Sequence, residues 1–404
     1  MPALPVPDGS PFPLTNLPYA VGGPAGDAPH VLVAVGEQAL DLARLARTGL
    51  LSPTHRPAAT DTSLAGLFAL GRPGWEALRD RLSELVTAAD ATSRLAPALV
   101  PLDRLNLGRP FEVADYVDFY SSIHHATNVG RLFRPQGEPL APNWRWLPVG
   151  YHGRAGTVVV SNAPIVRPRG QRRPAAPDQP PHVGPTAQLD VEVEVGFVVG
   201  TPSPLGSVVP TSGFRDYVFG VVLVNDWSAR DIQSWESAPL GPFLGKSFAT
   251  TMSPWVVPLA ALDSAHVRPP QQDPVVPDYL RCTEDWGLDI ALELEINGTV
   301  VSRPPFASMY WTMPQQLAHA TVNGAALRSG DLFASGTVSG PEPSQLGCLL
   351  ELTSGGRDVI ELTDGSTRTF LEDGDRVVIR GTAPGADGTA IGFGDCAGVV
   401  LPAD

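Results

Sequence analysis

Apolar positions keep helical spacing only near the start of the chain. VLVAVG (31–36) reads as a strand, GEQALDLARLARTGLL (36–51) as an amphipathic helix, and Pro73 to Ala89 as a second helix with proline in its first turn. From 95 to 110 the helical period is lost and prolines intervene, which predicts a domain change there, with residues 1–110 as a leading unit and 111–404 as a larger one. After a mixed stretch at 111–133 the pattern becomes short apolar runs separated by Gly and Pro. These are TVVVS (157–161), LDVEVEVGFVV (189–199), YVFGVVLV (217–224), LDIALELEI (288–296), LLELT (349–353) and DRVVIRG (375–381). Their length and spacing predict an all-β sandwich, roll or barrel, with Pro-rich 162–188 and 267–278 as long loops upon it.

Composition narrows the class. With 43 Pro and 41 Gly in 404 residues, a long-helix or coiled-coil protein is excluded, while 43% hydrophobic residues suffice for a sizeable core. A formal charge of −14 and no compensating basic stripe count against a nucleic-acid partner. The N-terminal MPALPVPDGSPFPL lacks a charged and apolar leader pattern, and the longest apolar stretch, 217–224, is too short to cross a bilayer. A cytoplasmic protein without membrane contact is the expectation. Cys282, Cys348 and Cys396 are far apart and odd in number, so buried thiols are expected rather than disulfides or a zinc knuckle.

Four segments carry candidate chemistry. In LDVEVEVGFVV strict alternation puts Asp190, Glu192 and Glu194 on one face, about 6.6–6.8 Å apart along the strand. Such a row suits either a solvated outer face or a hard cation held through oxygen. LDIALELEI offers a control, because Glu293 and Glu295 repeat the arrangement just before an Asn-Gly turn at 297–298 that marks an exposed hairpin. DYVDFYSSIHHATNVGRLFR (115–134) concentrates Asp, Tyr, His and Arg as an acid-base site with an anion anchor would. Adjacent His124 and His125 diverge by about 100° on a helix, so at most one faces a site fixed by Asp118, and spacing does not choose. In VVLVNDWSARDIQSWESAPLGPFLGKSFATT (221–251) polar groups gather where a buried run ends; GPFLGKS lacks the first glycine of a phosphate-binding loop. SGTVSGPEPSQLGCLLEL (335–352) is a Gly/Ser/Pro loop leading to Glu351, with no GxSxG elbow. Among 28 basic residues Lys246 is the single lysine.

These segments, with NWRWLPVGYHGRAG (143–156) and IGFGDCAG (391–398), closely resemble the fumarylacetoacetate hydrolase family over most of 111–402. LPYAVGG and VGEQALDLARL fit that family's leading domain more loosely. The resemblance implies a mainly β fold with some α: a small SH3-like N-terminal barrel with added helices, then a large C-terminal catalytic β-roll, assembled as a homodimer. It implies hydrolysis of the carbon–carbon bond of 4-fumarylacetoacetate, a diketo diacid, to fumarate and acetoacetate in tyrosine and phenylalanine catabolism, with Ca²⁺ and Mg²⁺ as cofactors.

Carried over by residue, Asp118, Glu192, Glu194 and Asp226 match the carboxylates around the metal, and Lys246 and Thr250 match positions at a second ion. An ammonium cannot itself ligate a cation, so backbone oxygens are expected at those last two. His125, not His124, matches the general base and Glu351 its partner. Arg230, Gln233 and Lys246 match oxyanion donors, and Tyr120, Arg134, Tyr151, Gln233 and Thr337 match substrate contacts. The family's tyrosine after the Arg/Gln motif is here Ser237, which removes a phenol and leaves hydrolysis of another acylpyruvate or β-diketone as the alternative. Decarboxylation or hydration on the same roll is a further reading, against which the leading domain and the His125/Glu351 pairing count.

Overall fold

The computed structural model describes residues 4–134 and 136–404. Its leading unit starts with an antiparallel meander of Tyr19–Pro24, His30–Val35 and Gln38–Asp41. Gly36 adopts a φ of 61° in the tight turn before the third strand, so the start of the expected 36–51 helix is instead one arm of a hairpin. Helix begins only at Leu42–Arg47, where the Asp41 carboxylate accepts the Arg44 amide at 2.9 Å. The second helix, Gly71–Thr87, buries Trp75, Leu78, Leu82, Leu85 and Val86 on one face. Residues 95–110 are more than a boundary: Leu99–Pro101 pairs with Gln38–Asp41, and Leu105–Leu107 pairs with Tyr19–Pro24. These strands sit at opposite edges of a five-stranded sheet, yet only residues 102–104 connect them. So short a link brings the two edges near one another and curls the sheet.

The larger unit is built on two main sheets, with small two-stranded pairings beside them. One runs Gly150–His152, Tyr116–Phe119, Leu332–Ala334, Val193–Val199, Val218–Asp226, Thr250–Met252, Val158–Val160, with Val257–Pro258 also paired to Val218–Asp226. The other runs Thr299–Ser302, Ala291–Ile296, Arg376–Pro384, Cys396–Leu401, Pro164–Val166, with Ala390–Gly392 also on Arg376–Pro384. The expected 162–188 loop therefore contains a strand of this second sheet and a hairpin, Arg169–Arg172 with His182–Pro185. LLELT is not a strand. Leu349–Leu352 is a helical turn, as good helix formers in so short an apolar run allow.

Every residue of Val218–Asp226 is buried because both faces are covered. Val221 and Leu223 pack toward the second sheet, while Phe219, Val222 and Val224 join the core of the leading unit. The Phe219 ring lies 5.3 Å from Tyr19, 5.1 Å from Phe68 and 5.3 Å from Trp75. Each such buried ring contributes about 1.5–3 kcal/mol, so a shared core joins the two units. Glu194 falls on the same strand face as Gly196 and Val198, and Asp226 on the face of Val224 and Val222. The acids thus continue the face that the leading unit covers.

Candidate active site

Strand register brings the four acids together. Asp118 is level with Ala334, and Ala334 with Gly196, while the Asp226 amide donates to the Glu192 carbonyl at 3.3 Å. Neighbouring strands lie about 4.8 Å apart, and one oxygen from each of Asp118, Glu192, Glu194 and Asp226 lies within 4.8 Å of the other three, all buried. The strand read at 189–199 is interrupted in pairing: Leu189–Asp190 pairs with Ser228–Ala229, and Val193–Val199 with Val218–Asp226. At the break, Asn225 Oδ1 accepts the Glu192 amide at 3.2 Å.

Burial and the neighbouring Asp226 push the Asp118 carboxyl well above the usual range, and burial with Asp118 and Asp226 does the same to Glu194. Asp226 is also raised by burial, with Lys246 opposing. Asp118 Oδ1 and Glu194 Oε1 are buried without a hydrogen-bond partner. Acceptor-only oxygens, crowded and lacking donors, fit a hard divalent cation.

Two cations of the chain border these acids. Glu236 Oε1 accepts the amides of Phe243 at 2.9 Å and Gly245 at 2.7 Å, which pins the loop before Lys246. Gly245 passes so close to the 230–236 helix that a β-carbon there would stand 2.8 Å from the Gln233 backbone. Lys246 Nζ, buried, lies 2.5 Å from Glu192 Oε2 and 2.6 Å from Asp226 Oδ2. Burial pulls its pKa down, but Asp226 and Glu192 more than reverse this, so the ammonium stays charged. Burial likewise opposes ionisation of Glu192, and Lys246 and Arg230 outweigh it and hold that carboxyl well below its usual range. Thr250 Oγ1 donates to Asp226 Oδ1 at 3.0 Å. Arg230 Nη1 meets Glu192 Oε1 at 2.7 Å and Gln233 Oε1 at 3.1 Å, whereas its buried Nη2 has no partner. With its oxygen so engaged, the Gln233 amide points its own donors elsewhere.

The expected base, His125, is on helix Ile123–Phe133, whose N-cap Ser122 Oγ accepts the His125 amide at 3.2 Å. His125 is buried and His124 half-buried, which resolves the choice that spacing left open. His125 Nδ1 lies 2.6 Å from Glu351 Oε2. A carboxylate only accepts, so Nδ1 carries the proton, and in the neutral ring the lone pair is on Nε2. Glu351 also accepts from Asn128 Nδ2 at 2.8 Å, Ser339 Oγ at 2.8 Å and Cys348 Sγ at 3.2 Å. Burial would raise its pKa, yet His125, Asn128 and Ser339 hold it below the usual value. An isolated bridge between Glu192 and Cys348 sets this pair beside the acids.

The expected substrate contacts divide. Tyr120 lies edge-on to the His125 ring at 5.3 Å, Tyr151 Oη is 3.5 Å from Asp226 Oδ2, and Thr337 Oγ1 is buried and unpartnered. Arg134 stands exposed beyond the far end of the 123–133 helix, donates to the Glu138 and Pro139 carbonyls, and meets none of the others. Ser237 Oγ bonds back to the Gln233 carbonyl at 2.5 Å. A cavity of about 160 Å³ beside Lys246 is lined by Tyr116, Tyr151, Asp226, Phe243 and Thr250. Three neighbours of the Glu351 carboxylate escaped sequence reasoning as site residues: Asn128, Ser339 and Cys348. Asn128 had a usable signal, since it follows His125 by three residues on one helix face. Ser339 reaches Glu351 from 12 residues away across a loop, and Cys348 stands three residues before it with no distinguishing motif.

Comparison with known proteins gives a consistent result. Residues 116–400 match the family model of the fumarylacetoacetate (FAA) hydrolase C-terminal domain, and residues 15–110 that of the fumarylacetoacetase N-terminal domain. The chain is 47% identical to the fumarylacetoacetase of Bos taurus over 414 residues, covering 99% of this chain and 98% of that one. It is also 47% identical to the fumarylacetoacetase of Caenorhabditis elegans over 416 residues, with the same coverage. A solved fumarylacetoacetate hydrolase from psychrophilic Exiguobacterium antarcticum is similar with a TM-score of 0.56 and 17% identity, over 95% of this chain and 99% of that one. At that identity the likeness speaks for a shared fold.

Proposed function

The chain belongs to the fumarylacetoacetate hydrolase family, and we propose that it hydrolyses the carbon–carbon bond of 4-fumarylacetoacetate to fumarate and acetoacetate. The observation that carries this reading is the buried His125–Glu351 pair set beside four converging carboxylates, with a charged lysine and an unpartnered guanidinium nitrogen at their edge. His125 Nε2 takes a proton from water as the water oxygen adds to the substrate carbonyl, and Glu351 offsets the imidazolium charge through Nδ1–H. Negative charge on the carbonyl oxygen falls to Arg230 Nη2, the Gln233 amide and Lys246. The carbon–carbon bond then breaks with its electron pair leaving as the acetoacetate enolate, and the proton held on His125 returns to that carbon.

Asp118, Glu192, Glu194 and Asp226 would hold Ca²⁺, and backbone oxygens of Lys246 and Thr250 would reach a second ion, Mg²⁺. A bound divalent cation supplies Lewis-acid polarisation of the diketone oxygens and counter-charge for the enolate. Tyr120, Tyr151 and Thr337 orient the diacid, with Arg134 as a more distant anchor. The homodimer rests on the family resemblance and is read by light scattering of the eluted protein. A cytoplasmic location agrees with the lack, among the described residues, of a helix long and apolar enough to cross a membrane, and cell fractionation tests it.

The deciding experiment follows the fall in diketone absorbance with purified enzyme. Turnover should require a divalent cation, and His125→Ala should lower kcat by roughly 10²–10⁴-fold. An active His125→Ala enzyme overturns the assignment of the base. Faster turnover of fumarylpyruvate than of fumarylacetoacetate would move the substrate to the acylpyruvate class that Ser237 leaves open.

A further inference from the structure

By sequence Asp190 belongs to the acidic row, but its carboxylate does not join the other acids. It is fully buried, and four donors occupy its two oxygens. Oδ2 accepts from Arg230 Nε at 2.8 Å and the Leu350 amide at 3.0 Å, while Oδ1 accepts from the Leu349 amide at 2.7 Å and the Val191 amide at 2.8 Å. The Leu349 and Leu350 amides open the helical turn that carries Glu351, whose own N-cap residue, Cys348, makes no side-chain cap bond. Arg230, held at Nε, keeps Nη1 for Glu192 and Gln233 and leaves Nη2 free. One carboxylate therefore ties the arm that presents Nη2 to the turn that presents Glu351.

The geometry points to Asp190 as a positioning residue for hydrolysis, one that fixes Arg230 and the Glu351–His125 pair relative to each other so that oxyanion donor and base act on the same carbonyl. The inference rests on the hydrolytic reading above. Only a carboxylate serves here, since Asn would set its NH₂ against either Arg230 Nε and the Leu350 amide or the amides of Leu349 and Val191, donor against donor.

Asp190→Asn, assayed on fumarylacetoacetate beside the wild type, should lose about 10²-fold in kcat, as when an oxyanion donor is misplaced. KM and the stabilisation by added Ca²⁺ should stay within about threefold, because Asp190 reaches the reacting atoms only through Arg230 and Glu351. In an Arg230→Ala background the same substitution should cost at least about threefold less in kcat, the non-additivity of residues that act together. Unchanged kcat with only a lowered melting temperature overturns the inference, and so does an equal loss in both backgrounds. Should Asp190→Asn not fold, Asp190→Glu keeps the charge and moves it by one methylene; a folded Asp190→Glu enzyme with wild-type kcat overturns the inference, and a kcat-specific loss supports it. A wild type without turnover overturns the hydrolytic reading and this inference with it, whereas an active wild type beside an equally active Asp190→Asn overturns this inference alone.

Discussion

Glu293 and Glu295 stand on a strand, Ala291–Ile296, with the same alternation of acid and apolar residues as the segment bearing Glu192 and Glu194. Their surroundings differ in kind. Glu295 lies 2.6 Å from Arg380 and 4.0 Å from Arg376, and Glu293 lies 3.2 Å from Arg303 and 3.7 Å from Arg380, all at a partly solvated surface. Asn297 and Gly298 end that strand in the left-handed turn expected of an exposed hairpin. Glu192 and Glu194 meet two more carboxylates, Asp118 and Asp226, where water is excluded. In one place arginine side chains at the surface neutralise the two acids, and in the other a shared cation is the remedy that fits. An acidic row has no fixed meaning; the strands beside it supply one.

Equal substitutions on the two strands should therefore have unequal effects. Glu194→Gln should lower kcat by about 10³-fold or more, the scale expected when Lewis-acid stabilisation worth several kcal/mol is lost. It should also abolish the rise in melting temperature on adding Ca²⁺, which for an intact site amounts to about 2.7 kcal/mol at a hundred times Kd. Glu295→Gln should leave kcat within about twofold and keep the Ca²⁺ response, since partly exposed ion pairs contribute about 0–1 kcal/mol. A Glu194→Gln enzyme that behaves like Glu295→Gln breaks the comparison.

The cations partnering the two rows give a smaller contrast. Lys246→Arg should lower kcat by about 10²-fold while thermal melting remains cooperative, because a planar fork cannot take the place of a compact ammonium between Glu192 and Asp226. Arg380→Lys on the control row should stay within about twofold. Near-normal turnover of Lys246→Arg would make the single lysine an accident of composition.

The smallest effect concerns Glu351, a buried acid neutralised by its own donors without a shared ion. Its pKa is depressed below an ordinary value of 4.5, so its ionised, paired form adds stability that is fully present above that value and is lost as pH falls through the lower folded one. The melting-temperature difference between wild type and Glu351→Gln should hold constant from pH 8 to about 5.5 and shrink below about 4. A difference that grows on acidification reverses the sign of the coupling.

Much of the fold was legible because apolar periodicity reports burial directly, as in Val218–Asp226 and Gly71–Thr87. The errors came where two local structures suit the same residues. GEQALD reads as helix by spacing but pairs as a strand once Gly36 turns the chain back. LLELT reads as a strand, and amides accepted by Asp190, 159 residues away from Leu349, open the helical turn that forms instead. Within the site, the four carboxylates and His125 stood out through motif and resemblance. Ser339 and Cys348 did not, since small side chains outside a motif look alike until their partners are known, and Asp190 was read in the acidic row without its partner Arg230.

Local pattern and motif, read from the chain alone, determined the β-rich class, the buried strands, the candidate acids and the family resemblance, because these depend on residue type and near neighbours. Tertiary structure decided that one acidic row is gathered with Asp118 and Asp226 into a buried cluster while the other is paired at the surface, that His125 rather than His124 is buried against Glu351, and that Asp190 bonds Arg230 and the Glu351 turn instead of joining the cluster. Those outcomes depend on strand register and on charges far apart in sequence, and Coulomb interaction and desolvation act on distance in space, not along the chain.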